Sequence, residues 1–332
     1  MAWSEILQAA HESFSKVLGV LGSVIQLDQE GEKFWLFLLS AFAVASGIYL
    51  WRHYATQGFS FTKLFGFILP PSIYFHKSAV VDYAFYVTSK IVGIFIHFET
   101  LFISAGLMGG YSASLLQHAF GPVESRSEAG LSARFMYTIV MVLAVDMGLF
   151  ISHYLQHKVP FFWEFHKVHH SAEVLTPITT YRFHPMDLIL DGTFTGLLGG
   201  MAIGFGSVFY GGLDEITILN ISVIMFAYNL TANLRHSHIW LSYGWALSHV
   251  FCSPAMHQIH HSYADRHRDK NLGFVFSLWD YLAGTLYVPR AQENLAWGLR
   301  NQEHQEYSRV WTLYVLPVKK AVHLLRGSIR YA

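Results

Sequence analysis

The chain reads as long apolar runs separated by short polar segments. Phe34 to Trp51 is almost continuously apolar and is bracketed by Lys33 and Arg52. At 1.5 Å per residue, a helix of that length suffices to cross a hydrocarbon core of roughly 30 Å. A second candidate span runs from about Asp82 to Met108, interrupted by Lys90, His97 and Glu99, and a third, Ala133 to Ile151, carries Asp146. Leu188 to Tyr210, rich in glycine, and Ile216 to Leu234 follow, separated only by Gly211-Gly212-Leu213-Asp214-Glu215. So short a connection predicts a helical hairpin that returns to the side it left. Near the start, Val17 to Leu27 is an apolar run without a basic lead or a clear small-residue cleavage site. It reads as a short surface helix rather than a signal peptide.

Composition strengthens the membrane reading. Hydrophobic residues make up 53% and charged residues 13% of the chain, whereas soluble domains carry about a quarter charged residues. An all-α polytopic membrane helical bundle of about four to five spans is therefore expected. Charge is balanced, 22 Lys and Arg against 22 Asp and Glu. No global basic field exists to attract nucleic acid, which is excluded as an expected partner. The single cysteine, Cys252, excludes an internal disulfide and any all-cysteine metal site.

Where the charges lie is more informative. Eleven Lys and Arg follow Leu234, and the 154–187 segment adds Lys158, Lys167 and Arg182. The 110–133 segment has only Arg126. The positive-inside rule therefore assigns the tail and the 154–187 segment to the cytoplasm. The segments flanking the 188–234 hairpin should share that face.

Those flanking segments carry the chemistry. Of 20 histidines, eight fall into three clusters: His153-Tyr-Leu-Gln-His157, His166-Lys-Val-His169-His170 and His257-Gln-Ile-His260-His261. Helix positions three or four apart share a face, so each cluster aims imidazoles in a common direction. A polar stripe beside a bilayer is costly unless it is functional. Eight rings are too many for one tetrahedral ion and suffice for two ions with four each. Imidazole suits iron, zinc, copper and nickel alike. The Glu-x-x-His pairs of soluble di-iron bundles are missing from this pattern. Ligating histidines need a partner on the other ring nitrogen, for which Glu164, Glu173, Asp187, Asp265, Asp269 and Asp280 are candidates. Asp146, seven residues before His153 on the same predicted helix face, is a candidate for support from within the membrane.

The order HxxxH, HxxHH and late HxxHH around a hairpin resembles the fatty acid hydroxylase/sterol desaturase superfamily of membrane oxygenases. The neighbouring residues carry the same resemblance: Phe162-Trp163-Glu164-Phe165 before His166, Arg182-Phe-His184-Pro185, Ser253-Pro254, Asp269-Lys-Asn271-Leu-Gly273, Trp279-Asp280 and Gly284-Thr285. It covers residues 140–287 and says little about substrate. It implies a cytosolic helical cap carrying a di-metal site, usually iron, with two ions per chain and dioxygen as co-substrate. The expected metal ligands are His153, His157, His166, His169, His170, His257, His260 and His261, with His236 as a ninth. His238, His184 and His267 are further candidates for ligation or for support of the ligands, alongside Asp146 and Asp269. No catalytic residue is expected beyond the metal ligands.

The expected organisation is an N-terminal segment 1–132 with two candidate transmembrane helices, a catalytic domain 133–290 and a membrane-associated tail 291–332. The expected activity is hydroxylation of an unactivated C–H bond of a membrane lipid, with desaturation at the same site as the alternative. A zinc-dependent lipid hydrolase and a metal transporter are the readings from other classes. No CxxCH, GxGxxG or cysteine set is apparent, so electrons should come from an external donor, a ferredoxin or small cytochrome with its reductase. The expected location is the bacterial inner membrane, with the site on the cytoplasmic side.

Overall fold

The computed structural model describes residues 29–95, 105–120, 130–210 and 214–329. The expected helix at Val17 to Leu27 lies outside these residues. The fold is a helical bundle that carries an irregular cap. Helices α1 (Gln29–Gln57), α2 (Phe61–Ile68), α3 (Pro71–Tyr74), α4 (Lys77–Phe95) and α5 (Ala105–Phe120) precede the histidine segments. Then come α6 (Leu131–Lys158), α7 (Pro160–His170), α8 (Pro185–Tyr210) and α9 (Val223–Ala232). The cap is built from α10 (Gly244–Ser248), α11 (Pro254–His260), α12 (Leu278–Ala283) and α13 (Val310–Ile329), with short 3-10 turns between them.

Proline sets several of these boundaries. Val159 is held extended by the following Pro160 (φ −96°, ψ 114°), so it ends α6 and starts α7 within a single residue. Pro160 and Pro254 occupy the first turns of α7 and α11, where a missing N–H costs nothing. The histidine-bearing helices α7 and α11 therefore begin at defined points, which fixes the rotation of their rings.

Among the described residues, three helices are long and apolar enough to cross a membrane: Lys33–Tyr54, Leu131–Lys158 and Pro185–Phe209. A fourth crossing arises if Phe61–Tyr74 and Lys77–Val92, bent by 82°, act as one broken span. Large side chains such as Leu39, Trp51, Phe61, Leu107, Leu131 and Phe135 stay exposed around these helices, as a lipid-facing surface requires.

The stretch from Asp82 to Met108 contains the end of α4 and the start of α5, with residues 96–104 outside the description. One expectation about spans changes. The stretch from Ile216 to Leu234 is not a second long helix. It opens with a two-residue hairpin, Thr217–Ile218 paired antiparallel with Ile221–Ser222, and continues as the ten-residue α9. Leu219 and Asn220 take left-handed φ of 50° and 59° at its turn, the conformation a tight hairpin demands. The chain still returns to the histidines, by a short helix rather than a full span.

Close packing accounts for glycines of α8. A Cβ on Gly204 would lie 2.7 Å from the carbonyl oxygen of Gly109, so α5 and α8 meet backbone to backbone. The tail is anchored: Leu313 of α13 is buried with Phe85, Val168, Leu299 and Tyr307, bracing α7 from behind. Trp245 is largely exposed. Trp163 packs on His157 and His170, Trp240 lies in the core, and Trp279 donates to Asp146.

Candidate metal centre

The three histidine motifs and His236 converge on two adjoining groups of ring nitrogens. His153, His157, His166, His170 and His260 form one; His169, His236, His257 and His261 form the other, and within each group the ligand-capable atoms lie within 4.8 Å of one another. The equal division of the eight motif rings is thus replaced by five and three, with His236 completing the second group. Helix geometry explains the split. In each HxxHH motif one i, i+4 pair faces one centre and the intervening ring faces the other: His166 and His170 against His169, His257 and His261 against His260. The groups touch, since the His170 and His261 rings stack at 4.7 Å and those of His257 and His260 at 5.3 Å.

The nitrogens suit a cation. In the four-ring group, His236 Nε2 lies 3.2 Å from His169 Nε2, 3.0 Å from His261 Nε2 and 3.0 Å from His257 Nε2. One proton per neutral ring cannot satisfy so many nitrogen–nitrogen contacts. Metal bonds of roughly 2.0 Å in a tetrahedron give edges of about 3.3 Å, close to this spacing. In the five-ring group, Nε2 of His157, His170 and His260 is buried with no hydrogen-bond partner. Buried polar atoms without partners are rare and call for an ion or water. Burial pushes the His166 imidazolium down to about 3, and those of His169, His170, His236, His257, His260 and His261 well below their ordinary value. The rings of the cap are therefore neutral at pH 7, the form that ligates metal.

Several outer ring nitrogens are held by the surrounding structure, while Nδ1 of His166 and His169 makes no hydrogen bond. His153 Nδ1–H donates to Leu272 O at 2.7 Å and His260 Nδ1–H to Lys270 O at 3.0 Å. His157 Nδ1 lies 3.4 Å from Asp269 Oδ1, and His166 Nδ1 lies 3.5 Å from Asp187 Oδ1. His236 Nδ1 pairs with Thr180 Oγ1 at 2.9 Å. His257 differs, because its Nδ1 accepts from the Arg235 guanidinium at 2.7 Å. His169 stacks on Phe183 at 4.3 Å.

The carbonyls of 270 and 272 sit on a loop that the sequence builds for the purpose. Asp269 and Asn271 take left-handed φ of 53° and 57°, which Asp and Asn tolerate better than most residues. Asn271 donates to Met256 O and accepts from Tyr287 N–H. Asp280 accepts N–H bonds from Leu272 and Gly273 and the hydroxyl of Thr285. A Cβ on Gly273 would meet Phe276 O at 2.7 Å, so only glycine fits. Asp146 accepts from Val275 N–H, Phe276 N–H and Trp279 Nε1–H. It anchors this same loop and touches no histidine of the two groups directly.

The further candidates are placed as follows. Asp269 contacts His157 and also binds Lys158 Nζ at 2.7 Å. His184 stands apart: its Nε2 faces Tyr314 O, its Nδ1 accepts from Met186 N–H, and it ties α13 to the start of α8. His238 Nε2 donates to Phe67 O, linking the cap to α2. His267 pairs with Glu293 and Arg266. None of these three histidines belongs to either group. Among the other carboxylates, Glu164 pairs with Lys167, Glu173 faces His304 and Asp265 pairs with Arg300.

Sequence reasoning missed Arg182 and Arg235 as framework cations. Arg182, 2% exposed, donates to Val168 O, Asp82, Ser171 Oγ and Tyr307 O, closing the end of α7. Its signal was present in the Arg-Phe-His-Pro run; its partner Asp82, about a hundred residues away, carried none. A cavity of about 920 Å³ adjoins the rings, reaching His153 and His166 of the five-ring group and His169, His236 and His257 of the other. It extends between α1, α6, α8 and α9 toward Lys33, Lys90 and the 217–222 hairpin.

Fold and site together define an apolar helical domain with a histidine-rich candidate metal centre. The model of the fatty acid hydroxylase family matches residues 138–285, less than half of the chain, and supports the resemblance of this part to the fatty acid hydroxylase/sterol desaturase superfamily. The chain is 29% identical over 155 residues to the ornithine lipid hydroxylase OlsE of Rhizobium tropici, covering 47% of this chain and 43% of that protein. It is 26% identical over 183 residues to human cholesterol 25-hydroxylase, covering 53% and 61%. It is 27% identical over 151 residues to the Delta(7)-sterol 5(6)-desaturase of Eremothecium gossypii, covering 46% and 37%. The chain thus spans less than two thirds of the length of each of these relatives. No solved structure matches it.

Proposed function

We propose that this protein is a membrane oxygenase that holds two iron ions and hydroxylates an unactivated C–H bond of a lipid, using dioxygen and electrons from an external donor. The observation that carries this reading is the pair of adjoining groups of five and four histidine nitrogens, opening on a cavity between apolar helices. The five-ring group would hold one ion and the four-ring group the other. Iron, when bound, supplies dioxygen activation and C–H oxidation.

The protein's own residues do the rest. Eight of the nine rings present neutral lone pairs, while His257, whose Nδ1 accepts from Arg235, must release the proton on Nε2 to do so. The carbonyls of 270 and 272 with Asp269 and Thr180 fix the orientation of His260, His153, His157 and His236. Phe183, Trp163 and the packed cap exclude water from the back of the site. The cavity brings the lipid alongside both groups, and no side chain is assigned as a proton donor. The excess of Lys and Arg in the tail and the 154–187 segment supports a cytoplasmic site, and the membrane proposed is a bacterial inner membrane. The donor would be a ferredoxin or a small cytochrome with its reductase. Desaturation is the second reading, supported by the likeness to a sterol desaturase.

Metal analysis and lipid mass spectrometry test the proposal together. About two irons per chain and a gain of one oxygen in a cellular lipid are expected. Loss of two hydrogens instead selects desaturation. Zinc in an active, oxygen-independent protein sinks the oxygenase reading and points to a hydrolase. Metal crossing the membrane without lipid change points to a transporter.

A further inference from the structure

We propose that the cavity receives a lipid polar group first, and that Asn229 and Asn233 hold that group beside the metal centre; this rests on the oxygenase reading only for the product it predicts. The α9 face lining the cavity is Met225, Asn229, Ala232 and Asn233. These positions follow the i, i+4, i+7, i+8 spacing of one helix stripe. The flank beside this stripe packs on α1: Phe226 meets Phe37, which also lines the cavity, and the carbonyl of Leu230 accepts from Ser40. A stripe turned toward a lipid cavity would ordinarily be apolar throughout. Here two carboxamides interrupt it, both half-buried and neither with a hydrogen-bond partner among the described residues.

Their position along the chain gives them a role. Asn233 ends α9 three residues before His236, whose Nε2 lies in the four-ring group. Asn229 is one turn farther from the rings, toward Phe34 and Phe37. A carboxamide offers both a donor and an acceptor, so the pair suits a hydroxyl, ester or amide rather than a hydrocarbon end. The opposite insertion would place a lipid head at Lys33 and Lys90 and a terminal methyl against the two amides. That arrangement leaves both amides unsatisfied next to hydrocarbon. The favoured substrate is therefore a lipid whose reacting carbon lies within a few bonds of a hydroxyl, ester or amide, with its chain directed along Phe34, Phe37 and Met225.

The test uses full-length, metal-loaded protein in dioleoyl phosphatidylcholine nanodiscs. Retention of radiolabelled N-palmitoylglycine, 1-palmitoylglycerol and hexadecane is measured without dioxygen, with empty discs subtracted. The two polar probes should be retained about tenfold better than hexadecane, as one net hydrogen bond implies. In the Asn229→Leu/Asn233→Leu protein this preference should fall to near parity while the metal content stays unchanged. A preference that survives in the double variant overturns the proposal. The second measurement needs no variant: admitting dioxygen and a chemical reductant to the wild type and mapping any new oxygen by tandem mass spectrometry. Oxygen within about four bonds of the polar group supports the proposal, and oxygen at the terminal or mid-chain carbons overturns it. Intact binding preference without any oxidised product refutes the oxygenase reading and still supports the polar-group site.

Discussion

The two histidine groups are built from the same motifs but are not equivalent. The five-ring group draws on α6, α7 and α11, and its outer nitrogens face acceptors: two backbone carbonyls and the carboxylates of Asp187 and Asp269. The four-ring group draws on α7, α11 and the segment after α9, and its outer partners are a hydroxyl and a guanidinium. An acceptor on the outer nitrogen makes a ring a better ligand. A guanidinium has only donors, so Arg235 draws electron density from His257. One centre thus has a ring to spare and faces acceptors, and the other has four rings, one of them bound by a guanidinium donor. The contrast shows that a symmetric sequence motif can encode asymmetric sites.

Removing one ring from each group should expose this difference most strongly. His169→Ala leaves three rings in its group, whereas His260→Ala leaves four. Both should reduce lipid conversion by more than about 100-fold, since loss of a ligand exceeds the cost of losing its outer partner. Metal analysis should show a deeper loss of ion from His169→Ala. Equal retention in the two proteins would break the comparison.

Changing outer partners should have smaller and opposite effects. Asp269→Asn should weaken metal retention at the five-ring group about 10-fold. Arg235→Gln replaces a donor with a side chain that can accept from His257, and should strengthen retention at the four-ring group by about the same factor. Competition against a chelator, read for each variant, checks both directions. A shift of the same sign in both would remove the electronic distinction between the groups.

Acid should act on the metal-free protein through the same rings. Their folded pKa values lie below the unfolded value near 6.5, with His166 at about 3. Between these limits the unfolded chain binds more protons than the folded one. Stability should therefore be flat above about pH 7 and fall as the pH drops below about 6.5, by up to about 1.4 kcal/mol per pH unit for each ring. Thermal unfolding across that range measures the slope, and bound metal should reduce it. A metal-free protein equally stable at pH 5 and pH 7 would contradict the buried, neutral state of the rings.

The smallest effect belongs to the loop whose carbonyls face the five-ring group and whose Phe274 also holds Arg235. Trp279→Phe removes one of three donors to Asp146 and should cost about 1 kcal/mol. Its metal loss should be weaker than that of Asp269→Asn.

The apolar runs at Phe34–Trp51, Ala133–Ile151 and Leu188–Tyr210 were legible because each forms its helix from local residues alone. The Ile216–Leu234 stretch was misread. Hydropathy does not distinguish a full span from a hairpin followed by a short helix. Histidine spacing identified the rings that could converge, because i, i+3 and i+4 relations are properties of a single helix. It could not assign them to centres, since that depends on how α6, α7 and α11 are rotated against one another.

The sequence by itself determined the membrane character of the chain and the imidazole chemistry of its site, both written in residue types and short spacings. Tertiary structure decided the five-and-four division and the turning of Asp146 toward a loop. It also set Arg235 against His257 and brought Asp82 to Arg182. These depend on contacts between residues far apart in the chain, and such contacts exist only once the helices pack.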